Sequence, residues 1–119
     1  MLSGDRSDRV GDQILRELSY LLIQKINDPR LQGVTLTEVK MTKDLRIAYV
    51  YFSFVGPEEY LKEIREGFKS AKGFIRKEIA RCLSLRYVPD IQFRHDNSLE
   101  YGQKIDKLLD SVHLQSDDL

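Results

Sequence analysis

Apolar residues in the first quarter of the chain recur at steps of three and four: Val10, Ile14, Leu18, Leu21, Leu22 and Ile26. That period predicts an amphipathic helix over residues 7–27, with Ser7 placed to cap its start and Pro29 to stop it. Asp28-Pro29-Arg30-Leu31-Gln32-Gly33 has the composition of a turn. The period then drops to two. Residues 34–42 predict a strand whose apolar phase slips between Leu36 and Val39, as a bulge or bend requires. Residues 45–55 alternate more regularly, with Ala48, Val50, Phe52 and Phe54 on one face and Tyr49, Tyr51 and Ser53 on the other. Lys43-Asp44 is a tight connection, so the two strands are expected to be antiparallel.

Gly56-Pro57 ends the second strand, and Glu58 and Glu59 suit the first turn of a helix. Tyr60, Leu61, Ile64, Phe68 and Ala71 give that helix a buried stripe, which continues through Ile75, Ile79, Ala80 and Leu83. Gly73 interrupts the pattern. Glycine inside a helix costs about 1 kcal/mol relative to alanine, so a kink dividing two helices is expected there. Val88-Pro89 ends the pair, Ile91-Gln92-Phe93 predicts a short third strand, and Ser98 opens a last helix carrying Tyr101, Ile105, Leu108, Leu109 and Val112. The order is helix, strand, strand, helix, helix, strand, helix. Its first six elements match a type II KH-like domain, an α+β architecture with a three-stranded sheet packed on helices. No repeat or linker divides the chain, so residues 1–119 are expected to form a single domain, with an ordered core of about 6–112 and a short acidic tail.

Charge refines this picture. The formal net charge is zero, with 19 basic and 19 acidic residues. The zero hides a segregation: Lys69 to Arg86 holds six basic residues and one acidic, whereas residues 95–119 hold two basic and six acidic. This excludes a chain that coats nucleic acid everywhere, while leaving room for one localised polyanion site. The lone Cys82 excludes an internal disulfide, its apolar helical setting suggests a small core residue, and zinc-site spacing is absent. Nothing approaches the ~18 consecutive apolar residues of a membrane span, and Met1-Leu2-Ser3-Gly4-Asp5 does not have the form of a signal peptide. The expected compartment is the cytoplasm, with no membrane partner.

Three places carry candidate chemistry. Lys62, Arg65, Lys69, Lys72 and Arg76 advance by three, four, three and four residues and so share one side of a helix, with Lys77 and Arg81 extending the charge. If Gly73 broke the helix, free backbone N–H groups beside Lys72, Arg76 and Lys77 would suit phosphate. The other reading of the same residues is a kink imposed by side-chain contacts, with ordinary surface lysines. Tyr49 and Tyr51, opposite the core face, suit stacking on bases, or reflect strand preference alone. Asp90, His95 and Asp96 are the only local group of acid and imidazole; with His113 they match no catalytic or metal motif. No enzyme activity, metal, cofactor or small-molecule substrate is expected.

Several motifs occur together in chain order. They are Arg6-Ser7-Asp8-Arg9-Val10; Ile26-Asn27-Asp28-Pro29-Arg30-Leu31; Asp44-Leu45 leading to Ala48-Tyr49-Val50-Tyr51; Ser70-Ala71-Lys72-Gly73-Phe74-Ile75-Arg76; Leu85-Arg86-Tyr87-Val88-Pro89-Asp90-Ile91-Gln92-Phe93; and Asp96-Asn97-Ser98. Through them the chain resembles the ribosome-binding factor A family over roughly residues 6–110. The resemblance implies a type II KH-like fold with an Ala-x-Gly kink, here Ala71-Lys72-Gly73, in place of Gly-x-x-Gly. It implies a monomeric assembly factor of the free 30S ribosomal subunit that binds 16S ribosomal RNA and supports late maturation, 5′-end processing and growth in the cold. A generic single-stranded RNA-binding module and a protein-interaction adaptor are the alternatives. The expected RNA contacts are Arg65, Lys69, Lys72, Gly73, Arg76, Lys77, Arg81 and Arg86.

Overall fold

The computed structural model describes residues 6–96. Within them the order is α1 (Arg6–Gln24), a 3-10 turn (Pro29–Leu31), β1 (Val34–Met41), β2 (Ile47–Phe54), α2 (Tyr60–Leu83) and β3 (Asp90–His95). The expected last helix, from Ser98 through Val112, lies outside the described residues, as do His113 and the acidic tail.

The strands form one sheet in the order β1-β2-β3. β1 and β2 are antiparallel, as their short connection requires. β2 and β3 are parallel, with the long α2 crossover between them. The phase slip of β1 is a bulge: Leu36 pairs with Phe52, but the next partner of β2 is Glu38, opposite Tyr51. The extra residue, Thr37, donates its hydroxyl proton to the Asp96 carboxylate at 2.8 Å. In the β1–β2 connection the Thr42 hydroxyl accepts from the backbone N–H of Arg46 at 3.2 Å and of Ile47 at 3.1 Å. It donates to Asp44, which holds that carboxyl below its usual range.

Period two on the central strand makes the core. Ala48, Val50 and Phe52 are each 0% exposed. Val10, Ile14, Leu18 and Leu21 of α1 and Ile75 and Ile79 of α2 cover Ala48 and Val50, while Ile64 and Phe68 of α2, with Leu31, cover Phe52. The Phe68 ring stacks on Phe93 at 3.9 Å and 8°, and tilts against Phe52 at 5.1 Å. This aromatic chain holds α2 against β3.

The 3-10 turn is held by Asp28, whose carboxylate accepts from the Arg30 backbone N–H at 2.9 Å and pairs with the Arg30 guanidinium at 2.8 Å. Gly67 lets α2 lie against this turn, since a Cβ there would stand 3.0 Å from the Leu31 side chain.

Three expectations need correction. The helix pair divided at Gly73 is one continuous helix of 24 residues. Ile64, Phe68, Ile75 and Ile79 stay in phase across the glycine and are all buried, so a continuous stripe outweighs a single ~1 kcal/mol penalty. No second helix N-terminus opens there. Cys82 is exposed rather than part of the core; its thiol donates to Glu17 Oε1 at 3.2 Å, on the seam between α2 and α1. Ser7, expected to precede α1 as its cap, is a buried residue inside its first turn.

Because a Cβ at Gly73 meets nothing within 4 Å, Gly73→Ala should raise stability by about 1 kcal/mol in urea unfolding. A loss would mean that the helix is not continuous at that point. Gly67→Ala should forfeit this gain through its contact with Leu31. Phe68→Ala, at a side chain 2% exposed, should cost about 3–5 kcal/mol.

Candidate nucleic-acid interface

At about 100° per residue, the burial of Ile64, Phe68, Ile75 and Ile79 against the sheet carries Arg65, Lys69, Lys72 and Arg76 to the flank of α2 that faces β3. They lie beside the buried stripe, not opposite it. With Phe68 from the helix and Ile91, Gln92 and Phe93 from the strand, Arg65, Lys69 and Lys72 line a shallow groove of about 240 Å³. Its far wall is β3, the edge strand of the sheet among the described residues. Asp90 and Asp96 donate their backbone N–H groups to Arg46 and Phe52 of the β2 side. By the alternation of a parallel ladder, Ile91 and Phe93 therefore turn their N–H and C=O groups outward. The groove thus sets mobile cations on one wall against fixed backbone donors and acceptors on the other.

The electrostatics of this flank are uneven. Among the described residues no carboxylate forms an ion pair with Arg65, Lys69 or Arg76, and all three are exposed. Lys72 is half-buried and bridges to Asp90 Oδ1 at 3.2 Å. The Gln92 side-chain amide donates to the other Asp90 oxygen at 3.1 Å. The Gln92 hydrogen bond first, then that of Lys72, hold the Asp90 carboxyl below its usual range. Free cations are available to phosphates at no cost in broken pairs, whereas Lys72 must first release Asp90.

The other expected contacts do not gather here. Lys77 is rotated roughly 100° from Arg76 and Arg81 roughly 140°. Arg81 pairs with Glu78 at 2.9 Å, and the Glu17 carboxylate of α1 lies close enough to add to its charge stabilisation. The extension of the stripe through Lys77 and Arg81 is therefore corrected: the helical turn carries Lys77 to the solvent face opposite the buried stripe and Arg81 to the α1 side. Arg86 sits on the α2–β3 connection, its guanidinium 5.5 Å from the Tyr87 ring centre. With Arg6 and Arg46 it rims a separate pocket of about 640 Å³ over Val10, Met41, Leu45 and Pro89. Gly73 is exposed between the two flanks, with open space above it.

His95, the candidate for acid–base chemistry, is half-buried against aromatic rings, 5.6 Å from Phe52 and 5.1 Å from Phe54. Among the described residues no group of His, Cys, Asp and Glu is arranged to hold a metal ion. No helix there is long and apolar enough to cross a membrane. Sequence reasoning missed Asp90 and Gln92 as part of the site, and also the edge strand β3. The parallel β2–β3 register that brings them to α2 has no local signal in the chain.

The family model for ribosome-binding factor A matches residues 6–109. A ribosome-binding factor A from Desulfatibacillum aliphaticivorans is 48% identical over 112 residues, which cover 94% of this chain and 91% of the relative. The solution NMR structure of a Thermotoga maritima protein superposes with a TM-score of 0.70 at 38% identity, covering 82% of this chain and 93% of the other. A Thermus thermophilus ribosome-binding factor A, a homology model fitted into a cryo-EM map of its complex with the 30S subunit, superposes with a TM-score of 0.63 at 25% identity. That match covers 76% of this chain and 96% of the other.

Since Asp90 titrates at a lowered value, its link to Lys72 is intact above the usual carboxylate range and is lost as pH falls through that value. Asp90→Asn should produce the same release at pH 7. It should free Lys72, remove one negative charge from the groove, and shift elution from heparin to higher salt. Unchanged elution would show that Lys72 takes no part in anion binding.

Proposed function

The chain belongs to the ribosome-binding factor A family, and on that premise we propose that it is an assembly factor that binds the free 30S ribosomal subunit by laying its α2–β3 groove against 16S ribosomal RNA. The observation that carries this reading is the row of cations Arg65, Lys69 and Arg76, exposed and without an ion pair among the described residues, beside the edge strand β3. The Thermus thermophilus relative fitted into a 30S complex supports the choice of partner.

In this reading the cations contact phosphates and set the position of the protein, while β3 offers its outward amide and carbonyl groups to exposed base edges. Lys72 joins when a phosphate displaces it from Asp90. Gly73 contributes an uncovered stretch of helix surface that a ribose–phosphate backbone can approach closely. Arg86 makes a separate contact from the pocket at the other end of β3, and Lys77 and Arg81 form an outer rim.

Binding, with no chemical step, is the mode of action. A binder changes the population of two RNA arrangements only through different affinities for them. A groove that needs accessible backbone on one strand favours subunits in which that strand is not yet buried. Support of late maturation, 5′-end processing and growth in the cold belongs to the same reading, as do a cytoplasmic location, a single domain and a monomeric state.

Co-sedimentation of the purified protein with small subunits, large subunits and free RNA tests the proposal. The native chain should travel with small subunits. Lys69→Glu with Arg76→Glu should leave the urea midpoint unchanged, because both side chains are exposed and in no ion pair among the described residues. It should abolish co-sedimentation at moderate salt and lower the slope of log affinity against log salt by about two. Equal binding by the variant would remove the groove from the mechanism.

A further inference from the structure

The sheet face turned away from the helices meets the groove only along β3, at Asp90 and Gln92. It is centred on β2, where Tyr49 and Tyr51 point outward between two partner strands and are half-buried. Lys40 lies in register with Tyr49 from β1, and Arg94 lies in register with Tyr51 from β3. Each cation reaches diagonally over the other ring. The Arg94 guanidinium stands 4.2 Å from the centre of Tyr49, and the Lys40 ammonium 5.6 Å from the centre of Tyr51. Beyond the tyrosines, Thr35 and Ser53 pair across β1 and β2 with small side chains.

We propose that this face is a second RNA surface, on which unpaired bases of a single strand stack against the Tyr49–Arg94 and Tyr51–Lys40 pairs. Three observations support it. A guanidinium over a tyrosine ring forms a planar, cationic platform, and bases stack on such planes as they do on aromatic rings. Lys40 and Arg94 are both exposed, and neither has a carboxylate partner among the described residues, so both can reach phosphates flanking a stacked base. The acidic groups of this face are Glu38, in register with Tyr51, Asp90, paired with Lys72, and Asp96, whose carboxylate accepts from the Thr37 hydroxyl at 2.8 Å. The surface is built to stack on base faces, whereas the groove offers β3 only to phosphates and base edges. It would let one protein hold RNA backbone along one flank and a looped-out strand on the sheet.

The inference goes beyond the groove and fails separately from it. The probes are a fluorescein-labelled, unstructured single-stranded RNA of about eight nucleotides and an oligomer of equal length in which abasic residues keep every phosphate. The full chain should bind the base-bearing strand several-fold more tightly than the abasic one. Tyr49→Val with Tyr51→Val preserves strand preference and should bring the two affinities together. Lys69→Glu with Arg76→Glu should weaken both oligomers and keep their ratio. If the native chain binds both equally, or the double valine variant keeps the ratio, the proposal is overturned. Should the valine variant fail to fold, backbone amide shifts of Tyr49, Tyr51 and Arg94 in the native protein decide the matter. Movement with the base-bearing strand alone supports the platform, and no movement overturns it.

Discussion

Ala48, Val50 and Phe52 have no exposed surface, and their burial under two helices constrains nearly everything else in the molecule. A strand alternates its side chains, so burying these three obliges Tyr49 and Tyr51 to face away. It also demands a long apolar stripe on α2, from Ile64 to Ile79, to cover the sheet from one end to the other. Once that stripe is seated, the rotation of α2 about its own axis is set. Arg65, Lys69, Lys72 and Arg76 then have one place to go, the flank beside β3. The Phe68–Phe93 stack fixes the distance between the two walls. The site is thus a by-product of the core: residues that never touch a ligand decide which cations converge.

Continuity through Gly73 moves the source of anion affinity. A broken helix would have supplied free backbone N–H groups and a dipole. In the unbroken helix, attraction comes from long, exposed side chains, supplemented by the backbone edge of β3. Such a surface is salt-sensitive and tolerant of geometry, which suits contact with phosphates of a large folded RNA. The pairing of Lys72 with Asp90 tempers it, because one cation of the row is engaged until a competing phosphate arrives. The overall neutrality of the chain acts in the same direction, confining attraction to the flank where cations lack partners.

Much of the architecture was legible along the chain. Steps of three and four located both described helices, alternation located the central strand with its two faces, and the phase slip in β1 marked the bulge before Glu38. The first helix ends at Gln24, three residues short of the expected bound, and Pro29 opens a 3-10 turn that the turn signal did not resolve. The family was readable from short motifs, because they preserve turn and strand residues in order. Misreadings arose where a local cost met a long-range gain. Gly73 carries a real helical penalty, but the buried stripe on either side exceeds it. Cys82 follows the apolar period, yet it falls in the last turn of α2, exposed and within reach of Glu17 on the α1 seam.

By itself, the sequence determined the α+β class, the partition of the central strand into a core face and a tyrosine face, and the basic character of α2, because each depends on residues close in the chain. Only the tertiary structure decided which cations act together. Lys77 and Arg81 belong to the same basic run as Lys72 and Arg76, yet the helix turns Lys77 to solvent and Arg81 toward α1. Asp90, Gln92 and Arg94 come from a strand whose parallel register with β2 is set by the shared core. Periodicity carries angles within one element; distances between elements arise only when apolar faces close on one another, and the groove and the tyrosine platform are both made of such distances.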